Sequence, residues 1–292
     1  MTALVHTDLA ANLHVSDLPY RFSSWAFDHP DNVRLWVDET GQLVAWVVLQ
    51  TPFWAVDYAV SPDAPPWLHR RLLAWADRRM QAARGTASAR PMWFIYVFSD
   101  QQQRIDDLEA AGWACQANVG ENSWSKVFMG RSLDSAPAEL PIPAGFAIRP
   151  LAGPSEVAAY VALHRAVFES ESMTEAWRHR TLQQRGYIPT LDLVAVAPDG
   201  RLAAFCICWF DPHCPTGRAG GQIEPLGVHA DFRGQRLGRA ILTEGVRRLR
   251  QHGAQDAVVE TDDHRHGALA VYEATGFRVT RNVLVYRKNV EE

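Results

Sequence analysis

The chain has 292 residues, 47% hydrophobic and 21% charged, which is enough for two domains and excludes a disordered, collagen-like or small disulfide-stapled protein. Its 29 Lys+Arg against 33 Asp+Glu give a formal net charge of -4, so no global positive field is present to hold nucleic acid or an anionic membrane. The four cysteines, Cys115, Cys206, Cys208 and Cys214, are too few for a disulfide framework. The N-terminus shows no basic region followed by an apolar run, and no stretch approaches the roughly 20 apolar residues of a membrane span. The expected location is the cytoplasm, with no nucleic-acid or membrane partner.

In chain order, Val33-Arg-Leu-Trp-Val37 and Leu43-Val-Ala-Trp-Val-Val48, separated by a Gly-containing turn, predict two paired strands. A strand at 57–60, a helix over 68–80 and a strand at 92–98 follow, and Leu108-Glu-Ala-Ala-Gly-Trp113 closes a further helix. Residues 136–145 combine prolines with small residues and carry neither helical nor alternating periodicity, which is linker chemistry. The expected division is therefore one domain over 1–135, a linker over 136–145 and a second domain over 146–292. The two sides of residue 140 differ in charge: 11 − 16 = −5 before it and 18 − 17 = +1 after it.

The second domain opens with a strand at 146–149, then a helix over 156–168 with Ser155 as its expected cap and a helix over 174–184. Strands at 191–196 and 202–210 make a hairpin, and Gln222-Ile-Glu-Pro-Leu-Gly-Val228 is a strand whose Pro225 and Gly227 predict a bulge or a splayed pairing. Arg233-Gly-Gln-Arg-Leu-Gly238 opens a helix running to about residue 252, followed by a strand at 256–260, a helix over 268–274 and a closing strand region at 277–288. The fold class is α/β, with helices flanking a mixed, mostly antiparallel sheet in each half.

The halves repeat one another. Tyr272-Glu-Ala-Thr-Gly-Phe277 mirrors the segment at 108–113, and the separation from Val228 to Gly276 (276 − 228 = 48) is close to that from Val60 to Gly112 (112 − 60 = 52). The first half lacks the glycine-rich turn. Ser61-Pro-Asp-Ala-Pro-Pro-Trp67 stands in its place, and proline has no N–H to offer an anion.

A strand, an Arg/Gly loop and a helix N-terminus present unpaired N–H groups at the positive end of a helix dipole, which suits phosphate. This order of elements, with Arg233-Gly-Gln-Arg-Leu-Gly238 and Tyr272-Glu-Ala-Thr-Gly-Phe277, resembles the GNAT acetyltransferase superfamily. The repeat extends the likeness to its tandem members, such as the mycothiol-synthase arrangement, with the first domain degenerate. Two departures stand in one site. Arg236 occupies a position where the family has glycine, its amide expected in helical geometry, and Arg265 occupies one where the family has asparagine.

The resemblance implies acetyl-CoA as cosubstrate, held by Leu226, Gly227, Val228, Arg233, Gly234, Gln235, Arg236, Leu237, Gly238 and Arg239, with no metal. The activity it implies is transfer of an acetyl group to a primary amine of a small molecule. A non-catalytic acyl-CoA-binding protein of the same fold is the alternative, and a homodimer is left open. A base must deprotonate the amine and an acid must protonate the departing thiolate. Glu224, a carboxylate on the splayed strand near Gln222, is the expected base, with His229 as second choice. Tyr272 matches the family's acid. Cys206, Cys208 and Cys214 with His213 lack the paired spacing of a zinc site, and Cys206 and Cys208 alternate on one buried strand face. The first-half tryptophans Trp36, Trp46, Trp54, Trp67, Trp75 and Trp93 read as core or interface aromatics, with an acceptor-lining role held open.

Overall fold

The computed structural model describes residues 1–138, 140–212 and 218–290. Residues 1–32 form two short helices, α1 (Thr2–Val5) and α2 (Leu18–Phe22), joined and followed by 3-10 turns. The first half continues with β1 (Val33–Val37), β2 (Leu43–Gln50), β3 (Ala55–Val60), α3 (Trp67–Ala82), β4 (Met92–Phe98), α4 (Gln102–Ala110), β5 (Ala114–Cys115) and β6 (Ser125–Ser132). The second half runs β7 (Ala147–Pro150), α5 (Val157–Phe168), α6 (Glu175–Leu182), β8 (Asp192–Val196), β9 (Leu202–Asp211) and β10 (Gly220–Val228), then α7 (Leu237–Gln251), β11 (Asp256–Asp262), α8 (His266–Ala274) and β12 (Arg278–Asn289).

Among the described residues the strands join one sheet in the order β1-β2-β3-β4-β12-β6-β11-β10-β9-β8-β7, with β5 on β12. The pairings are antiparallel except β3 with β4 and β10 with β11. The expected division at 136–145 falls between β6 and β7, but the last strand of each half is exchanged. β6 pairs with β11 and β12 of the second half, and β12 pairs with β4 of the first. Residues 1–135 and 146–292 therefore share a sheet instead of closing on themselves.

The core follows from the patterning. β9 is buried along nearly its whole length, because helices cover both faces of the sheet there, so it reads as a continuous apolar run. On α7, Leu237, Ile241, Val246 and Leu249 recur at helical spacing and meet β9 and β10. Gly245 lets that helix approach closely, since a Cβ there would lie 2.7 Å from Cys208 Sγ. Cys206 and Cys208 thus pack as small hydrophobes under α7. Cys214 and His213 lie outside the described residues, and among the described ones no cluster of three His, Cys, Asp or Glu could hold a metal.

Thr174 caps α6, its hydroxyl accepting from the Trp177 N–H at 3.1 Å. Ser155 does not cap α5. Its hydroxyl donates to the Ala152 carbonyl at 3.1 Å within a 3-10 turn over Gly153–Glu156, and α5 starts after it with no side-chain cap. No described helix is long and apolar enough to cross a membrane.

Candidate active site

β10 and β11 pair only at Gly220, Gly221 and Gln222, so from Ile223 onward the two strands diverge. β10 itself stays on β9, with a register shift between Ile223 and Leu226 where the sequence places Pro225. The freed edge of β10 borders a cleft of about 2220 Å³. Gly227 allows the strand to sit against α5 and β9, since a Cβ there would be 2.5 Å from Val167 Cγ1 and 2.6 Å from Phe205 Cζ.

One end of the cleft is the N-terminus of α7. Gly234 has φ +77°, a conformation glycine adopts without strain. Arg236 takes φ 62° and ψ 13° as the residue preceding α7, so its expected helical geometry is corrected: it is left-handed, and the helix begins at Leu237. Among the described residues, none of the N–H groups of residues 234–239 donates to a backbone carbonyl outside α7, and those of Leu237, Gly238 and Arg239 precede the first bond of the helix, Ala240 N–H to Arg236 O at 3.0 Å. Arg239 Nε is buried without a partner. Of the ten expected coenzyme contacts, Leu226, Gly227, Val228, Arg233, Gly234, Arg236, Leu237, Gly238 and Arg239 line the cleft, while Gln235 is exposed beside it. Orphan donors, a buried unpaired guanidinium nitrogen and a helix dipole together fit a diphosphate.

Glu224 and Tyr272 line the same cleft. Burial pushes the Glu224 carboxyl up to about 7, with the charges of Asp17 and Glu260 adding to the shift and those of His14 and Arg21 opposing it. Burial raises the Tyr272 hydroxyl strongly, and Glu224 raises it further. The Tyr272 ring also packs edge-on to Phe277 with centroids 5.9 Å apart, so its packing and cleft-lining readings both hold. His229 does not line the cleft. Its Nδ1 accepts from the Asp231 N–H at 3.2 Å, which fixes the turn before the loop. Gln222 is buried and points its amide toward the Leu13 carbonyl, 3.5 Å away. Arg265 turns to Asp262, with Nε 3.4 Å from Oδ2.

The other end of the cleft comes from residues to which sequence reasoning gave no functional role. His14, Arg21, Phe53, Tyr96 and Lys126, all of the first half, face Glu224, Glu260 and Asp262. His14 and Arg21 arrive on the N-terminal segment, which is bound to the second half. The Trp177 indole donates to Tyr20 O at 3.2 Å, the Trp25 indole donates to Ser172 O at 2.9 Å, and His6 Nε2 lies 2.8 Å from Asp211 Oδ2. The only hint in the chain was that His14, Asp17 and Arg21 alternate with apolar residues, without a period that names an element. None of the first-half tryptophans lines the cleft: Trp46 and Trp93 are core, while Trp54 and Trp67 are exposed.

Residues 158–277 match the Acetyltransferase (GNAT) family. A mycothiol acetyltransferase of Streptomyces avermitilis is 30% identical over 153 residues, which are 51% of this chain and 48% of that protein; the chain thus spans about half the length of the curated relatives it matches. Among solved structures, a tandem GNAT protein from the clavulanic acid biosynthesis pathway superposes with TM-score 0.66 at 17% identity, over 100% of this chain and 94% of that one. A GCN5-related N-acetyltransferase from Sphaerobacter thermophilus superposes with TM-score 0.68 at 19% identity, over 90% and 82%. Residues 158–277 thus form a GNAT acetyltransferase domain, and the fold of the chain as a whole is that of the tandem GNAT structure on which it superposes.

Proposed function

We propose that the chain transfers an acetyl group from acetyl-CoA to the primary amine of a small molecule, by direct attack within a ternary complex. The carrying observation is that Glu224, pushed up to about 7, and the buried Tyr272 line one cleft with the orphan donors of residues 234–239. Those donors and Arg239 hold the diphosphate, and the free edge of β10 at Leu226–Val228 aligns the pantetheine arm. Acetyl-CoA supplies the thioester. Glu224 takes the proton that the ammonium must lose before its nitrogen can attack; as the C–S bond breaks, Tyr272 gives its proton to the departing thiolate, and the acylated nitrogen sheds its second proton, which restores Tyr272. Amides on the β10 edge polarise the carbonyl. The mycothiol acetyltransferase relatives support an amine acceptor, and the cysteine usage supports a reducing, cytoplasmic setting.

The test is thiol release from acetyl-CoA across a panel of amines. Release is expected to rise with pH through about 7, as Glu224 loses its proton. Glu224→Gln is expected to lower kcat by about 100-fold or more, and Tyr272→Phe by about 10- to 100-fold, with coenzyme affinity retained in both. The second reading, an acyl-CoA-binding protein without turnover, draws on Arg236 at the coenzyme end and on Arg265, which lines the cleft paired with Asp262. Tight coenzyme binding with no release on any amine would establish it.

A further inference from the structure

Beyond Glu224 the cleft is walled by both halves, and its charges are unequally paired. Arg21 donates to both oxygens of Asp57, at 2.6 and 2.8 Å. Lys126 bonds Glu260 and lies 2.9 Å from Asp262, which also receives Arg265. Each of these cations therefore already faces a carboxylate. The Glu224 carbonyl accepts from the Trp209 indole at 2.7 Å, but its carboxylate has no hydrogen bond or ion pair among the described residues, and only burial and distant charges act on it. Asp17 receives the His14 Nδ1 proton at 2.8 Å, while its Oδ1 is buried and unpaired. The His14 Nε2 atom is buried, without a hydrogen-bond partner and 4.0 Å from Glu260 Oε2.

The open hydrogen-bonding capacity of the Glu224 carboxylate and of Asp17 Oδ1 is thus acceptor capacity, and the carboxylate left without a paired cation is Glu224. Burying such groups without a counter-charge is costly, and a bound cation offsets that cost. Both titrating groups report the same field. Glu224 is pushed up by burial together with Asp17 and Glu260. His14 is raised by Asp17 and Asp57, although burial and Arg21 pull it down. The rings of Phe53 and Tyr96 add cation-attracting faces, already lying 4.3 Å from Arg21 and 4.9 Å from Lys126.

We infer that this end of the cleft selects an acceptor that is a cation with no carboxylate, phosphate or sulfate beside the reacting nitrogen, and that Glu224, Glu260 and the His14–Asp17 pair make that selection. The inference rests on the acceptor reading of the cleft given above. It is tested by binding instead of turnover. Matched amines differing by one carboxylate, tyramine and tyrosine, histamine and histidine, cadaverine and lysine, are titrated calorimetrically into the full chain with excess CoA. The member lacking the carboxylate is expected to bind at least about tenfold tighter in the pair that fits, equivalent to about 1.4 kcal/mol. Glu260→Gln and, as a second variant that leaves Lys126 its carboxylates, Asp17→Asn are each expected to shrink that ratio to under about threefold. Equal affinities, tighter binding of the carboxylated members, unchanged ratios in the folded variants, or no binding of any amine would overturn the inference. A chain that shows the preference but releases no thiol from acetyl-CoA keeps it and removes the acetyl-transfer reading instead.

Discussion

In the second half β10 leaves β11 after Gln222, and in the first half β3 touches β4 only where Ala55 faces Phe94, so both halves open a fork in the sheet. What fills the two forks differs. The second holds a cleft of about 2220 Å³, whereas the small cavity bordered by β3 is about 450 Å³. Tyr58, with the His69 ring 5.1 Å away and the Arg104 guanidinium 5.4 Å away, occupies the first fork, and the Arg21–Asp57 pair seals it. Aligning Val60 with Val228 puts buried Val56 at the place of Glu224, and the terminal repeat puts buried Leu108 at the place of Tyr272. At the next helix, α3 starts after Pro65 and Pro66, which lack N–H groups, whereas α7 starts after Gly234. The same supersecondary unit is thus filled in one copy and holds an open cleft in the other, and side chains at a few positions decide which.

The sharpest way to break this contrast is at the seal. Arg21→Met leaves Asp57 as an unpaired carboxylate in the interior, and a loss of about 3–5 kcal/mol of stability is expected, read from denaturant unfolding. Next comes the turn. Gly234→Pro removes an N–H and cannot adopt φ +77°, so acetyl-CoA affinity should fall about 100-fold by calorimetry, with the melting temperature changed little because Gly234 is exposed.

A smaller effect separates Glu224 from its first-half counterpart Val56. The Glu224 carboxyl is raised from 4.5 to about 7, so its contribution to stability is fully present below 4.5 and is lost as pH rises through about 7. Glu224→Gln should therefore be more stable than the parent by on the order of 2 kcal/mol near pH 8 and nearly equal to it near pH 4. Identical melting curves at the two pH values would contradict the shift. The smallest effect is expected from Pro66→Gly. Restoring one N–H at α3 should create no coenzyme binding in the first half, because Val56 and Leu108 still line a filled fork; measurable binding there would erase the distinction between the copies.

The repeat, the helices and strands, the turn ahead of α7 and the elements that bring Glu224 and Tyr272 to one cleft were legible because local pattern carries them. Apolar periodicity, a Pro/Gly interruption and a Tyr-x-x-x-Gly-Phe ending are properties of short windows. The exchange of β6 and β12 was not, since each strand is equally apolar whichever neighbour it pairs with. Arg236 in a left-handed conformation was missed because only glycine advertises positive φ.

The sequence alone determined the family of folds, the glycine-containing turn ahead of α7 and which copy carries Glu224 and Tyr272, because these depend on residue types a few positions apart. Only the tertiary structure decided what faces Glu224. His14 is 210 residues away in the chain (224 − 14 = 210), and no local preference records that the N-terminal segment crosses the joint between the halves. Burial and long-range charge come from that crossing, and they set both the proton affinity of Glu224 and the charge around it.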